Sequence, residues 1–513
     1  MTYLPSVDIV ILILYVLAVV AYGSGFFRRS RTPRGFTAAG GSIPGWAVGL
    51  SLFGTYLSSN TFLGVPGKAY GTNWNSFVFS LSLPFAAWIA AKYFVPFYRD
   101  SGEISAYTHL ERRFGRWART YAMVCYLLTQ LARIGSILFG VALALGALTG
   151  WSPAVIIIAT GLLVTLYTLL GGIEAVIWTD VVQSIILSVG ALVVVVLLVV
   201  GMPEGPGQLL EIASASGKFS LGSAAWDFAT STLWVVFLYG LFTNLNNFGI
   251  DQSFVQRYHT ARSDRGARRS VWLAALLYIP ISLLFFFIGS GLFAYYEARP
   301  DQKAGLEQAV VAQLEQGSVQ PTAEDLGDRV FPHFIANQLP PGVAGLLLAA
   351  LFAAAMSSID TSLNSSATVI LSDLYPSRGR TVDDREAMRV LYVGTVLVGL
   401  LGTSTALAMI GVKSVLDAWW TLSGIFAGGM LGLFLLGMIS KRAGKPAAVT
   451  GVAAGLAVIV WMTLSPRLPE TSILRSPFHA NMIIVVGTLT IFLVGILGSR
   501  LTAKASPREE ARP

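Results

Sequence analysis

Apolar and polar positions along this chain fall into long blocks rather than short periods. Mostly apolar runs of eighteen or more residues, or slightly shorter ones bracketed by charge, recur near 6–27, 44–69, 74–97, 118–148, 153–171, 175–201, 226–249, 270–295, 342–374, 388–411, 417–439, 446–465 and 479–499. A helix rises about 1.5 Å per residue and the hydrocarbon core of a bilayer is about 30 Å thick, so each run predicts a membrane-crossing helix. The expectation is an all-α integral membrane protein with about thirteen transmembrane helices. The first run has no basic segment ahead of it and is followed by Arg28 and Arg29, the pattern of a retained span rather than a cleaved signal peptide.

Three runs are not uniformly apolar. The stretch 351–368 reads LFAAAMSSIDTSLNSSAT. On a helix, Ser357, Asp360, Thr361 and Asn364 fall at i, i+3, i+4 and i+7, which is one face. Hydroxyl and carboxylate oxygens gathered in hydrocarbon suit a hard, weakly held cation. Back-bonding to carbonyls one turn earlier satisfies Ser362 or Ser366, but not Asp360. The run after Pro44 carries Gly54, Thr55, Tyr56 and then Ser58, Ser59, Asn60, Thr61 in its middle. Five spans later, WVVFLYGLFTNLNNFGIDQ places Gly240, Asn244, Asn246, Asn247 and Gly249 similarly. Interrupted spans at corresponding places in two halves point to a transporter with inverted repeats and a midplane site. The competing reading is close helix packing at the glycines with interhelical hydrogen bonds from the polar side chains.

This division predicts a single transmembrane domain over 1–500. It comprises an extra first span (6–27), repeat one (about 44–201), repeat two (about 226–439) and two further spans (446–499). The polar tail 501–513 is expected to be disordered. The segment 202–225 is rich in Gly, Ser and Pro, and the acidic segment 296–341 is expected to form a short amphipathic helix acting as a lid.

Depth brings distant residues to one level. Ser357 lies ~22 Å inward from Gly342, and Asp180, in AVIWTDVVQ, lies ~8 Å from the other end of its span. Asp180 and Ser357/Asp360 can therefore share a site, with a structural ion pair as the alternative for Asp180. Arg133 sits ~20 Å inside its span, too deep to snorkel. It needs a carboxylate, supplied either by the protein or by a solute, and Gln130 can share either task.

Composition narrows the class. The chain is 54% hydrophobic and 12% charged, against about 25% charged for a soluble domain. The net charge of +8 does not signal nucleic acid, because the arginines lie between apolar runs and form no continuous basic face. Loops counted as inner, with the tail, hold Arg28, Arg29, Arg112, Arg113, Arg257, Arg262, Arg268, Arg378, Arg442 and Arg500, and the outer loops hold far fewer. That bias predicts a multi-pass cell-membrane protein with its N-terminus outside and its C-terminus cytoplasmic. Cys125 is alone, and His109, His259, His333 and His479 show no metal-ligand spacing. An intramembrane aspartyl protease would also need two buried carboxylates, but Asp180 and Asp360 sit in WTD and SID, without the Tyr-Asp and Gly-x-Gly-Asp contexts of that class.

With these residues assembled, the chain resembles the sodium/solute symporter family across essentially all its spans. GGIEAVIWTDVVQ (171–183), GIDQSFVQRY (249–258) and MSSIDTSLNSSAT (356–368) carry the resemblance. It implies a LeuT-type five-plus-five inverted repeat with discontinuous helices, and sodium-coupled import of a small organic solute by alternating access, with no enzymatic activity. One or two sodium ions would be co-transported, with no organic cofactor, no nucleic acid and no obligate protein partner. By the resemblance, a first sodium site uses the carbonyls of Gly54, Leu57 and Ala354 with the hydroxyls of Ser357 and Ser358. A second uses Asp180, Ser357, Asp360 and Thr361, where the family usually has a small hydroxylated residue at position 360. Arg133 is similar to the arginine that grips the carboxylate in bacterial sialic-acid symporters, with Tyr56, Ser58, Thr61 and Ser80 lining the same pocket. Ser80 stands where a glutamine contacts that substrate, and Asn247 where sugar transporters place a gating tyrosine. Asn244 and Asn247 complete the expected substrate-binding set. The alternative is a neutral sugar, a monocarboxylate or an amino acid as solute, with Arg133 structural.

Overall fold

The computed structural model describes residues 5–311, 323–375, 382–410, 415–469 and 471–505; of the tail expected to be disordered over 501–513, residues 506–513 lie outside them. Among the described residues the chain is helical, joined by one isolated bridge between Ile43 and Ala261. The helices that carry the argument are α1 (Ser6–Ser24), α2 (Gly45–Tyr56), α3 (Val65–Gly71), α4 (Arg116–Thr149) and α5 (Pro153–Val200). They continue with α6 (Leu233–Ile250), α7 (Gln252–Thr260), α8 (Asp264–Glu297), α9 (Ala323–Gln338) and α10 (Val343–Val369). Four further helices follow: Asp384–Ala408, Val415–Ile439, Lys445–Leu464 and Met482–Ala505. The last of these extends the final span by five residues into the segment expected to be disordered.

Ten helices among the described residues are long and apolar enough to cross a membrane. The difference from thirteen has three sources. The second run is broken into α2 and α3, each too short alone, and the run near 417–439 has only Gly424–Ile439 in the apolar count. The runs 153–171 and 175–201 join as α5, which bends at Gly172 (φ 58°, ψ −164°). Only glycine adopts that backbone readily, and a Cβ there would lie 3.0 Å from Phe36 Cα. Arg29 pairs with Glu174 at 2.7 Å and Ser30 donates to the Gly171 carbonyl at 2.5 Å, so the chain after α1 grips both sides of the bend.

The two ends of the bundle differ. At the basic end, Arg119 bridges Glu111 and Asp373, and Arg99 pairs with Asp264. At the loop end, the 202–232 segment packs on the start of the third span, with Trp74 N donating to Ser220 O, and on the 470s loop, with His479 N donating to Phe228 O. Among its described residues the acidic segment forms two helices rather than one, Pro300–Val311 and α9, and Phe331 of α9 stacks on Phe62.

The extra first span fixes the start of α10. A helix leaves its first amides without intrahelical partners. Here Asp8, fully buried, accepts from Gly342 N at 2.7 Å and Gly345 N at 2.6 Å. A Cβ on Gly345 would lie 2.7 Å from Asp8 Cα, so the approach of α1 to α10 demands glycine. Asp8→Ala is expected to cost about 1 kcal/mol, read as a lower thermal-unfolding midpoint.

Candidate functional site

Two breaks in the backbone create the centre of the molecule. Helix α2 ends at Tyr56, and Leu57 turns to extended backbone (φ −92°, ψ 110°) before a wide helical turn, Asn60–Gly64, leads into α3. Helix α6 runs unbroken through Gly240, Asn244 and Asn247. The second interruption therefore lies at Asp251 (φ −74°, ψ 119°), later than the sequence pattern placed it. Asp251 caps α7 by accepting from Ser253 N at 2.8 Å, which makes up for the hydrogen bonds lost at the break.

Beside the first break lie all the residues of the first expected sodium site. Ser358 Oγ donates to the Leu57 carbonyl at 3.3 Å. Gly54 packs so closely on α10 and α5 that a Cβ would lie 3.3 Å from Ser357 Oγ and 3.6 Å from Asp180 Cβ. Ala354 is buried one turn before Ser358 on α10. Residues 54–57 thus turn a helix end toward two serines, its carbonyls accepting from Leu57 N, Arg133, Thr61 and Ser358 and each keeping a second lone pair to offer. Nearly neutral oxygens of this kind match a monovalent cation, which binds weakly enough to leave.

Three residues of the second expected set, Asp180, Ser357 and Thr361, are brought together around a cation the protein already supplies. Asp180 accepts from Ser357 Oγ at 2.5 Å, Ser51 Oγ at 2.5 Å and Arg257 Nη2 at 2.9 Å. Arg257 also donates to Thr361 Oγ1 at 2.7 Å, to Ser51 Oγ and to the Ser253 carbonyl. Asp180, Arg257 and Asp360 are each 0% exposed, so this is a fully buried ion pair with its remaining hydrogen bonds satisfied. By sequence alone Arg257 counts among the inner-loop arginines. In the structure it lies on α7, whose polar residues Gln252, Ser253, Gln256 and Arg257 are all buried. The signal was available, since Asp180 in hydrocarbon requires a cation partner. Asp360 stands apart: Tyr167 donates to its Oδ2 at 2.6 Å and its Oδ1 has no partner.

Above these groups a chamber of ≈ 110 Å³ is lined by Tyr56, Ser58, Thr61, Ser80, Arg133 and Asn247, six of the seven expected solute contacts. Asn244 is the exception. It is fully buried, donates to Ser82 Oγ at 3.1 Å and does not line the chamber, whereas Thr243, Asn246 and Asn247 do. The Tyr56 ring packs at 5.1 Å from Phe254 and 5.2 Å from Tyr278, which holds its hydroxyl inside the chamber beside Asn247. Ser80 shares a 2.7 Å hydrogen bond with Ser282. Arg133 donates through Nη2 to the Thr55 carbonyl and makes no ion pair among the described residues. Asp251 faces the same chamber and attracts Arg133 without touching it, while Gln130 Nε2 reaches Asp251 at 3.5 Å. Sequence reasoning missed Asp251, Tyr278 and Lys68 as lining residues, because each comes from a segment whose register only the fold decides.

The chamber is open at one end. Lys68 and Ser76 line both it and a wider basin of ≈ 590 Å³ at the loop end. Toward the basic end it is sealed by hydrogen bonds across the breaks. Gln256 Nε2 donates to Thr37 O, Asn364 Oδ1 and Thr368 Oγ1 at 2.6–3.1 Å, and Tyr98 donates to Gly249 O at 2.6 Å.

A buried polar chamber at paired helix breaks, open to one side only, defines a membrane transporter of the LeuT fold. A model of the sodium:solute symporter family matches residues 36–455, and the chain belongs to that family. It is 34% identical over 501 residues, 96% of this chain and 92% of the relative, to the sodium/sialic acid symporter NanT of Aliivibrio fischeri. It is 33% identical over 496 residues, 96% and 94% of the two chains, to the sodium/sialic acid symporter SiaT of Proteus mirabilis. Among solved structures it is similar to a substrate-bound, outward-open Na+-coupled sialic acid symporter, with a TM-score of 0.84 and 31% identity over 96% of this chain and 98% of that one. The chain is thus a multi-pass, sodium-using transporter of small solutes rather than an enzyme.

Proposed function

We propose that this protein imports sialic acid, a sugar acid with one carboxylate, together with sodium. The observation that carries the reading is Arg133, a guanidinium deep in the bundle that faces the chamber with no ion pair of its own. A solute carboxylate would complete it with two parallel hydrogen bonds. Ser58, Thr61, Ser80 and Asn247 offer hydroxyl and amide partners for a polyhydroxylated ring, and the two sialic-acid symporter relatives support the choice. Of the expected alternatives, a neutral sugar leaves Arg133 with only the attraction of Asp251; a monocarboxylate or an amino acid would satisfy the guanidinium but leave the hydroxyl and amide groups around the chamber largely unused.

One sodium would sit among Gly54, Leu57, Ala354, Ser357 and Ser358. Holding α2 against α10, it would keep the chamber open at the loop end. A second ion among Asp180, Ser357, Asp360 and Thr361 would have to share that place with Arg257, or displace it, so the reading favours one sodium in the state described here. One sodium with one carboxylate carries no net charge, whereas a second sodium would add ~2.3 kcal/mol per 100 mV of membrane potential. With the N-terminus outside, the loop end would face outward and solute would leave at the cytoplasmic, basic end.

The test is uptake of labelled sialic acid into proteoliposomes under an inward sodium gradient. Accumulation should collapse when potassium replaces sodium and should depend on membrane potential only if two ions cross. Ser357→Ala is expected to raise the half-saturating sodium concentration at least several-fold. Equal uptake in potassium would remove sodium coupling, and uptake of neutral hexoses alone would remove the anionic substrate.

A further inference from the structure

At the basic end, the third span and the start of α8 enclose a groove of ≈ 460 Å³ that shares no lining residue with the central chamber. It is lined by Lys92, Arg265, Arg268, Arg269, Trp88 and Trp272, together with Ala91. Its one carboxylate, Asp264, is already paired with Arg99 at 2.7 Å. The four cations make no ion pair among the described residues; Lys92 instead lies 5.1 Å from the rings of Trp88 and Tyr93.

This arrangement is unfavourable by itself. Arg265, Arg268 and Arg269 stand at i, i+3 and i+4 on one helix, where like charges repel. Arg265 also lies in the first turn of α8, where the helix dipole disfavours a cation. An anion in the groove relieves both penalties. The surroundings specify which anion: Trp88 is 52% and Leu276, two turns further along α8, 54% exposed. Tryptophan above an exposed leucine marks the level where headgroups meet acyl chains. A phosphodiester at that level meets the arginines while its chains run down the apolar face, and the arginine fork matches phosphate oxygens.

We propose that this groove is a binding site for the phosphate headgroup of an anionic phospholipid. The lipid would brace the short link 261–263 between α7, which carries Arg257, and α8.

The experiment measures thermal unfolding of the full chain in vesicles of phosphatidylcholine with or without phosphatidylglycerol, and separately with inorganic phosphate alone. The wild type should unfold at a higher temperature with phosphatidylglycerol, and phosphate alone should not reproduce the gain. Arg265→Gln, Arg268→Gln and Arg269→Gln should each weaken retention of the anionic lipid roughly fivefold, the usual contribution of one basic residue near an anionic surface. The corresponding lysine variants should keep most of it, which separates lost charge from misfolding. Equal unfolding temperatures in the two lipids, or an undiminished gain in the triple glutamine variant, would overturn the proposal. A full gain from inorganic phosphate alone would also overturn it, since the site would then serve a soluble anion.

Discussion

Arg133→Ala is expected to abolish uptake of a carboxylate solute while leaving sodium binding in place. A guanidinium that donates two charge-assisted hydrogen bonds in a dry chamber contributes roughly 3–5 kcal/mol. Its loss lowers affinity on the order of a hundredfold to several thousandfold. Arg133→Lys keeps the charge but not the fork, so it should recover only part of the loss. Solute affinity by calorimetry and sodium-dependent thermal stabilisation, measured on the same preparations, separate the two functions. Because Arg133 also donates to the Thr55 carbonyl at the end of α2, a variant that lost both responses together would make this residue a brace for the broken helix. Normal transport by Arg133→Ala would remove it from the site.

The second large effect concerns stability. Removing Arg257 strands Asp180 as a buried charge, and breaking such a pair from one side costs about 3–5 kcal/mol. Arg257→Ala is therefore expected to fold poorly, with a sharply lowered unfolding midpoint. The double variant Arg257→Ala with Asp180→Asn should regain more than half of that loss, because no uncompensated charge remains. A purely additive result would show that the two residues do not act as a unit. Sodium adds a further reading: if the vacated place can hold the ion, Arg257→Ala alone should become markedly more sodium-stabilised than the wild type.

Much of this architecture was legible in the chain. Long apolar blocks have one physical solution in a bilayer, since every backbone group must be satisfied within a helix. The cost of polar atoms in hydrocarbon singled out Ser357, Asp180 and Arg133, and the structure gathers them around the first break. Other positions needed the fold. Asn244 and Asn247 differ by three residues on the same polar stretch, yet one faces Ser82 and the other the chamber. Helical phase sets such outcomes, and a window of polar residues on all sides of a helix does not encode which side turns inward.

Arg257 makes the division clearest. By sequence it ends a polar stretch beside other arginines and counts as a loop residue. Only the break at Asp251 restarts a helix that carries it back beneath α10 and onto Asp180. What the sequence determined alone was the solvent for each segment and the expense of each buried polar atom, because both are properties of a residue and its near neighbours. The tertiary structure decided the pairings: which cation neutralises Asp180, which oxygen Ser358 meets, and which end of the chamber stays open. Those depend on contacts between segments up to three hundred residues apart, such as Leu57 with Ser358, and no local pattern carries that information.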